Sequence, residues 1–166
     1  LSETHPPAPL QVVLDNIRSA YNVGSAFRTA DACGIEHLHL CGMCAHPPHI
    51  KLQKTALGAD DFVPWTYHER TTRCIDALQA QGIPVIAVEV TPDATPYTAF
   101  DWPQPVAVLF GNEVHGVRDK ILERCDGIVT IPMFGHKNSL NIATAFGVVL
   151  YEVLRKWGRL EHTAPD

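Results

Sequence analysis

The stretch Arg73-Cys74-Ile75-Asp76-Ala77-Leu78-Gln79-Ala80-Gln81-Gly82-Ile83-Pro84-Val85-Ile86-Ala87-Val88-Glu89-Val90 decides the fold. Over its first half, Cys74, Ile75 and Leu78 fall on one face of a helix spanning 73–81, with Gly82 as its stop. Its second half, 85–90, is a run of apolar, β-branched residues, the pattern of a parallel strand buried on both faces. A helix feeding into a buried strand is a crossover pattern, and crossovers join parallel strands.

The same alternation extends in both directions. Downstream, 106–110 repeats the buried-strand signature, 118–125 reads as a short helix, and 128–131 is a β-branched run ended by Pro132. From 140 to 157, Ile142, Phe146, Val149, Leu150, Val153, Leu154 and Trp157 form one apolar stripe, with Arg155 and Lys156 in the last turn and Gly158 beyond. Upstream, 11–14 reads as a strand. Asn22 then stands where an N-cap would precede the helical series Val23, Phe27, Ala30 and Cys33, which Gly34 ends. A second strand covers 37–41, followed by an irregular stretch with Pro47 and Pro48 and a polar segment, 51–61, expected as surface loop with a short helix. The expectation is an α/β fold with a largely parallel sheet flanked by helices. Residues 1–10 read as a Pro-containing leader, 11–158 as one domain and 159–166 as a tail.

Composition sets the bounds. A chain of 166 residues with 46% hydrophobic content buries one substantial core. No apolar run approaches the roughly 20 residues that cross a bilayer, and residues 1–9 lack a basic patch followed by an apolar core, so a soluble, cytoplasmic protein with no membrane partner is expected. Five cysteines cannot all pair within one chain, and a reducing compartment is the simpler setting. A formal net charge of −5 excludes a generally basic nucleic-acid binder, so any RNA contact must be local.

Three segments can carry chemistry. The first runs Asp15-Asn16-Ile17-Arg18-Ser19-Ala20-Tyr21-Asn22-Val23-Gly24-Ser25-Ala26-Phe27-Arg28-Thr29, a strand end passing into a helix start, where α/β proteins bind ligands and anions. Asn22 is equally explained as a cap, and Arg28 as an exposed partner of Asp31. The second, Phe110-Gly111-Asn112-Glu113-Val114-His115-Gly116, follows a buried strand, but it has neither the dinucleotide-binding glycine spacing nor a P-loop. Glu113 there could simply be a carboxylate favoured by a helix N-terminus. The third, Ile131-Pro132-Met133-Phe134-Gly135-His136-Lys137-Asn138-Ser139-Leu140-Asn141-Ile142-Ala143, offers Ser139 as an N-cap and Asn141 as a side chain able to reach into a site. Separately, Cys41, Cys44, His46 and His49 have metal-like spacing. Their crowding within one short loop argues against a knuckle, and no metal is expected.

Taken in order, N-I-R-x-x-x-N-V-G-x-x-x-R-T, F-G-N-E-x-x-G and I-P-M ending in S-L-N-x-A resemble the SpoU, or TrmH-like, RNA 2′-O-methyltransferases of the SPOUT superfamily. The resemblance covers about residues 12–157. It implies a C-terminal trefoil knot, S-adenosylmethionine as cofactor, transfer to a ribose 2′-hydroxyl of tRNA or rRNA, and a homodimer in which the first segment of one subunit faces the cofactor of the other. It assigns the cofactor to Leu109, Gly111, Ile131, Met133, Ser139 and Leu140. Catalysis falls to Arg28, with Asn22, Glu113, Ser139 and Asn141 orienting it and the substrate. Arg18, Lys54 and Lys137 are the local cations available to RNA phosphates. Two rival classes are a zinc-knuckle interaction protein, which metal content would reveal, and a catalytically idle RNA-binding module, against which Arg28, Glu113 and Asn141 argue.

Overall fold

A computed structural model describes residues 5–161. Seven strands, β1 (Ala8–Asp15), β2 (Ile35–Cys41), β3 (Trp65–His68), β4 (Val85–Val88), β5 (Thr95–Pro96), β6 (Val106–Phe110) and β7 (Gly127–Thr130), form one sheet in the order β3-β2-β1-β6-β4-β7-β5. Every pairing is parallel. Five helices connect or cover them: α1 (Ala20–Cys33), α2 (Ile50–Ala56), α3 (Thr71–Ala80), α4 (Asp119–Leu122) and α5 (Ile142–Lys156).

Both faces of the sheet are buried, which is why the central strands read as continuous apolar runs. Along β1 and β6, Leu10, Val12, Leu14, Val108 and Phe110 join the core under α1, α2 and α5. Val13, Ala107 and Leu109 alternate to the opposite core with Cys74, Ile75 and Leu78 of α3. The apolar stripe of α5 docks as its spacing predicts, and Phe146 lies on Phe110 with ring centroids 5.2 Å apart. The chain runs from β4 to the far-edge strand β5, returns to β6, and then goes outward again to β7 between β4 and β5. Two connections thus span the same part of the sheet in opposite directions, an uncommon topology.

Several boundaries differ from expectation. β1 starts at Ala8, because Ala8 and Leu10 bury against the core, so part of the expected leader is strand. The N-cap of α1 is Ser19, whose hydroxyl accepts from the Asn22 amide at 3.2 Å; Asn22 therefore lies inside the first turn. At α5 the cap is Asn141, not Ser139: its Oδ1 accepts from the Ala143 N–H at 2.9 Å. The expected strand 85–90 stops at Val88, and helix 118–125 shortens to α4. Strands β3 and β5 were not anticipated; both lie at the sheet edges, where half their residues meet solvent and no buried run marks them.

Gly24 lies where α1 meets α2. A Cβ there would stand 2.1 Å from Thr55 Oγ1 and 2.2 Å from the Leu52 carbonyl oxygen, so the glycine of the first motif serves helix packing. Because a helix backbone is the obstacle, Gly24→Ala should destabilise the protein by about 1–3 kcal/mol despite the better helix propensity of alanine. Urea unfolding measures this, and an unchanged midpoint would contradict the packing role.

Candidate functional site

The first and second segments meet at the carboxyl ends of the strands, where open α/β sheets place ligands. After β6, the chain makes a tight loop closed by paired backbone hydrogen bonds between Asn112 and Gly116, 3.1 and 2.9 Å long. The Asn112 side chain organises it: Oδ1 accepts from the amides of Val114 and His115, at 2.9 and 3.0 Å, while Nδ2 donates to the Asn16 carbonyl oxygen at 2.7 Å. Glu113 then reaches the start of α1, accepting from Ser19 N–H at 3.0 Å, Arg18 N–H at 3.4 Å and Asn22 Nδ2 at 3.5 Å. A carboxylate is favoured there by the orphan amides and by the helix dipole. The expected helix N-terminus beside Glu113 is thus that of α1, more than ninety residues away along the chain.

From the other side Glu89, just past β4, holds the same loop. Its Oε2 accepts from the Val117 amide at 2.7 Å and its Oε1 from Val90 N–H at 2.8 Å. Gly116 has φ +64°, and a Cβ on it would lie 2.2 Å from Glu89 Oε2, so only glycine allows this approach. Sequence reading missed Glu89 because it sits inside an apolar run. The available signal was a carboxylate closing a buried strand at its carboxyl end.

Between this loop and the chain leading into α5 lies an open cleft of about 450 Å³, within the size range of small-molecule sites. Of the residues expected around a cofactor, Gly111, Ile131, Met133, Ser139 and Leu140 line it, as do Glu113, Glu89 and Thr91. Leu109 does not. Strand alternation turns it into the opposite core, where it is fully buried. The Thr91 hydroxyl oxygen is buried without a hydrogen-bond partner among the described residues, in the wall of a cleft able to receive a polar ligand. Asn141 uses Oδ1 to cap α5, which leaves its amide nitrogen to donate.

Arg28 projects from α1 into solvent, outside the cleft lining of its own chain. It forms no ion pair with Asp31 among the described residues. Arg18, Lys54 and Lys137 are likewise exposed. The four metal-spaced side chains have separate partners. Cys44 donates to the Leu14 carbonyl and accepts from Ile17 N–H, both at 3.2 Å, and burial pushes its thiol up to about 12. Cys41 is buried beneath α3 with its thiol hydrogen-bonded to that of Cys74, His46 packs on Tyr67 with ring centroids 4.8 Å apart, and His49 caps α2. All five cysteines are free, and no described helix is long and apolar enough to cross a membrane.

Comparison with known proteins agrees with this layout. The family model described as the SpoU rRNA Methylase family matches residues 9–151. A Pseudomonas aeruginosa protein named 23S rRNA (guanosine-2′-O-)-methyltransferase RlmB is 32% identical over 97% of this chain, which spans 64% of that protein's length. The Thermus thermophilus tRNA (guanosine(18)-2′-O)-methyltransferase is 32% identical over 89% of this chain and 75% of its own. Among solved structures, the SpoU methyltransferase AviRb from Streptomyces viridochromogenes, in complex with the cofactor AdoMet, superimposes with a TM-score of 0.83 at 29% identity, covering 95% of this chain and 64% of that one. The family match begins in β1 and ends in α5, so it includes every segment that builds the cleft, and the chain belongs to the SpoU rRNA methylase family.

Proposed function

We propose that this protein transfers a methyl group from S-adenosylmethionine to a ribose 2′-hydroxyl of tRNA or rRNA. The observation that carries the reading is the cleft itself: its wall holds the partnerless Thr91 hydroxyl, and its loop is tied through Glu113 to the helix that bears Arg28. The names of the relatives support the same reaction class, and a structural neighbour holds AdoMet. Gly111, Ile131, Met133, Ser139 and Leu140 would hold the cofactor, which supplies when bound a methyl group on a sulfonium with a neutral thioether as leaving group. The crossed connections around β4, β6 and β7 favour the trefoil knot that the resemblance implies.

The protein's own task is to position the hydroxyl and manage its poorly acidic proton. A guanidinium with a pKa above about 12 is a poor base. Arg28 instead grips the adjacent phosphate through its planar donor fork and stabilises negative charge developing on the ribose oxygen, while that phosphate or water takes the proton. Asn22 and Glu113 position α1 relative to the cleft, and Ser139 and the Asn141 amide orient the substrate. Since Arg28 does not line its own chain's cleft, a second subunit completes the site, and the protein works as a homodimer. Exposed apolar side chains near the cleft, among them Val114, Phe134 and Leu140, suit such a contact. Arg18, Lys54 and Lys137 meet RNA phosphates, and the setting is the cytoplasm.

Thr91→Val removes a buried hydroxyl that has no partner among the described residues, so folding stability should hold or rise slightly. Affinity for S-adenosylhomocysteine should nevertheless drop about 3–10-fold, the equivalent of one hydrogen bond. Calorimetric titration beside thermal unfolding checks both, and unaltered affinity would remove Thr91 from the site.

Arg28→Lys keeps charge but loses the bidentate fork. It should bind cofactor within a few-fold of the parent yet lose on the order of 10²-fold in methyl transfer, with Arg28→Ala at least as impaired. An RNA with 2′-deoxyribose at the target should accept no methyl group. Labelled-cofactor assays on cellular RNA provide the readout: near-normal turnover by Arg28→Ala would refute the mechanism, and methylation of the deoxy substrate would move the acceptor to a base.

A further inference from the structure

On the face of β2 opposite α1, three side chains from separate elements converge: His39 of β2, His68 at the end of β3, and Cys74 of α3. Their nitrogen and sulfur atoms all lie within 4.8 Å of one another. None of the three lines the cleft. His39 Nε2 is 2.7 Å from Gln11 Oε1, an oxygen that can only accept, so this nitrogen carries the proton. In neutral His39 the lone pair is then on Nδ1, which faces His68 Nε2 at 2.9 Å with the Cys74 sulfur beside it. Metal-binding histidines share this arrangement: a carbonyl takes the remote N–H and so fixes the tautomer that presents a lone pair to the ion.

We propose that His39, His68 and Cys74 form a zinc site. Two imidazoles and one thiolate are a borderline-soft donor set that suits Zn²⁺ over oxygen-seeking cations such as Mg²⁺ or Ca²⁺. His68 also lines a shallow surface depression with Glu69, Arg70 and Arg73, which gives the ion a path in and leaves its fourth position open to water. Among the described residues, edge strand β3 has four residues and pairs only with β2, and a metal bonded to β2, β3 and α3 fastens that margin of the sheet. The proposal departs from the expectation of no metal and uses neither Cys44, His46 nor His49. No spacing in the sequence marks it, because its ligands are 29 and 6 residues apart.

The test titrates chelator-treated protein with Zn²⁺ and, separately, with Co²⁺. Saturation near one ion per chain is expected, and the cobalt form should show a thiolate-to-metal charge-transfer band. His68→Gln, a half-buried position at the end of an edge strand where glutamine can still hydrogen-bond, should weaken binding at least tenfold, and Cys74→Ser should abolish the band. Gln11→Leu leaves all three ligands but frees the His39 tautomer, and should cost 10–100-fold in affinity. Circular dichroism monitors folding, and if Cys74→Ser does not fold, His68→Gln alone decides. No saturable binding, binding unchanged in His68→Gln, or binding lost in Cys44→Ser but kept in His68→Gln would each overturn the proposal.

Discussion

The carboxylate of Glu113 is the interaction on which the site depends. It accepts from two backbone amides and one side-chain amide at the start of α1, and so fixes the loop after β6 to a helix from the other end of the chain. Each hydrogen bond is modest alone, and an exposed one is weakened by water. Their convergence on one carboxylate matters more, because without it the Arg18 and Ser19 amides just ahead of α1 lose their acceptor, and the loop that walls the cleft loses its anchor to that helix. Asn112 and Glu89 work on the same loop from inside. Three polar side chains, contributed by two loops, thereby replace the apolar packing that a surface turn cannot have.

The parts of this design legible in the sequence were those written locally. Buried parallel strands announce themselves as apolar runs, and α5 announces itself by the spacing from Ile142 to Trp157. The motif segments stood out by their order and combination, since Asn22, Arg28 and Glu113 taken singly are as well explained by a cap, an exposed ion pair and a helix dipole. Period-two alternation could also have corrected Leu109: it precedes Phe110, which faces α5, and so must face the other way.

What the sequence hid was whatever depends on distant partners. Ser19 and Asn22 are both acceptable caps by type, as are Ser139 and Asn141, and the choice falls to backbone geometry that no single residue reveals. Glu89 reads as an interruption in a strand until Gly116 and Val117 are brought against it. β3 exists because β2 offers it an edge, since its own residues alternate too weakly to insist on being a strand. The convergence of His39, His68 and Cys74 is likewise a product of tertiary structure alone.

The position of α5 bears on how the protein is made. Phe146, Val149, Leu150, Val153 and Leu154 cover the sheet face formed by Leu10, Val12, Val108 and Phe110, yet they leave the ribosome only after every strand of that sheet. During translation, at about 5–20 residues per second, the nascent chain carries an uncovered apolar face until they emerge. Strand pairing can proceed in that interval, but burial cannot be completed. A polypeptide halted before Ile142 would therefore present a sticky sheet to chaperones and proteases, so that the cell's quality control, rather than any loss of chemistry, would decide its fate.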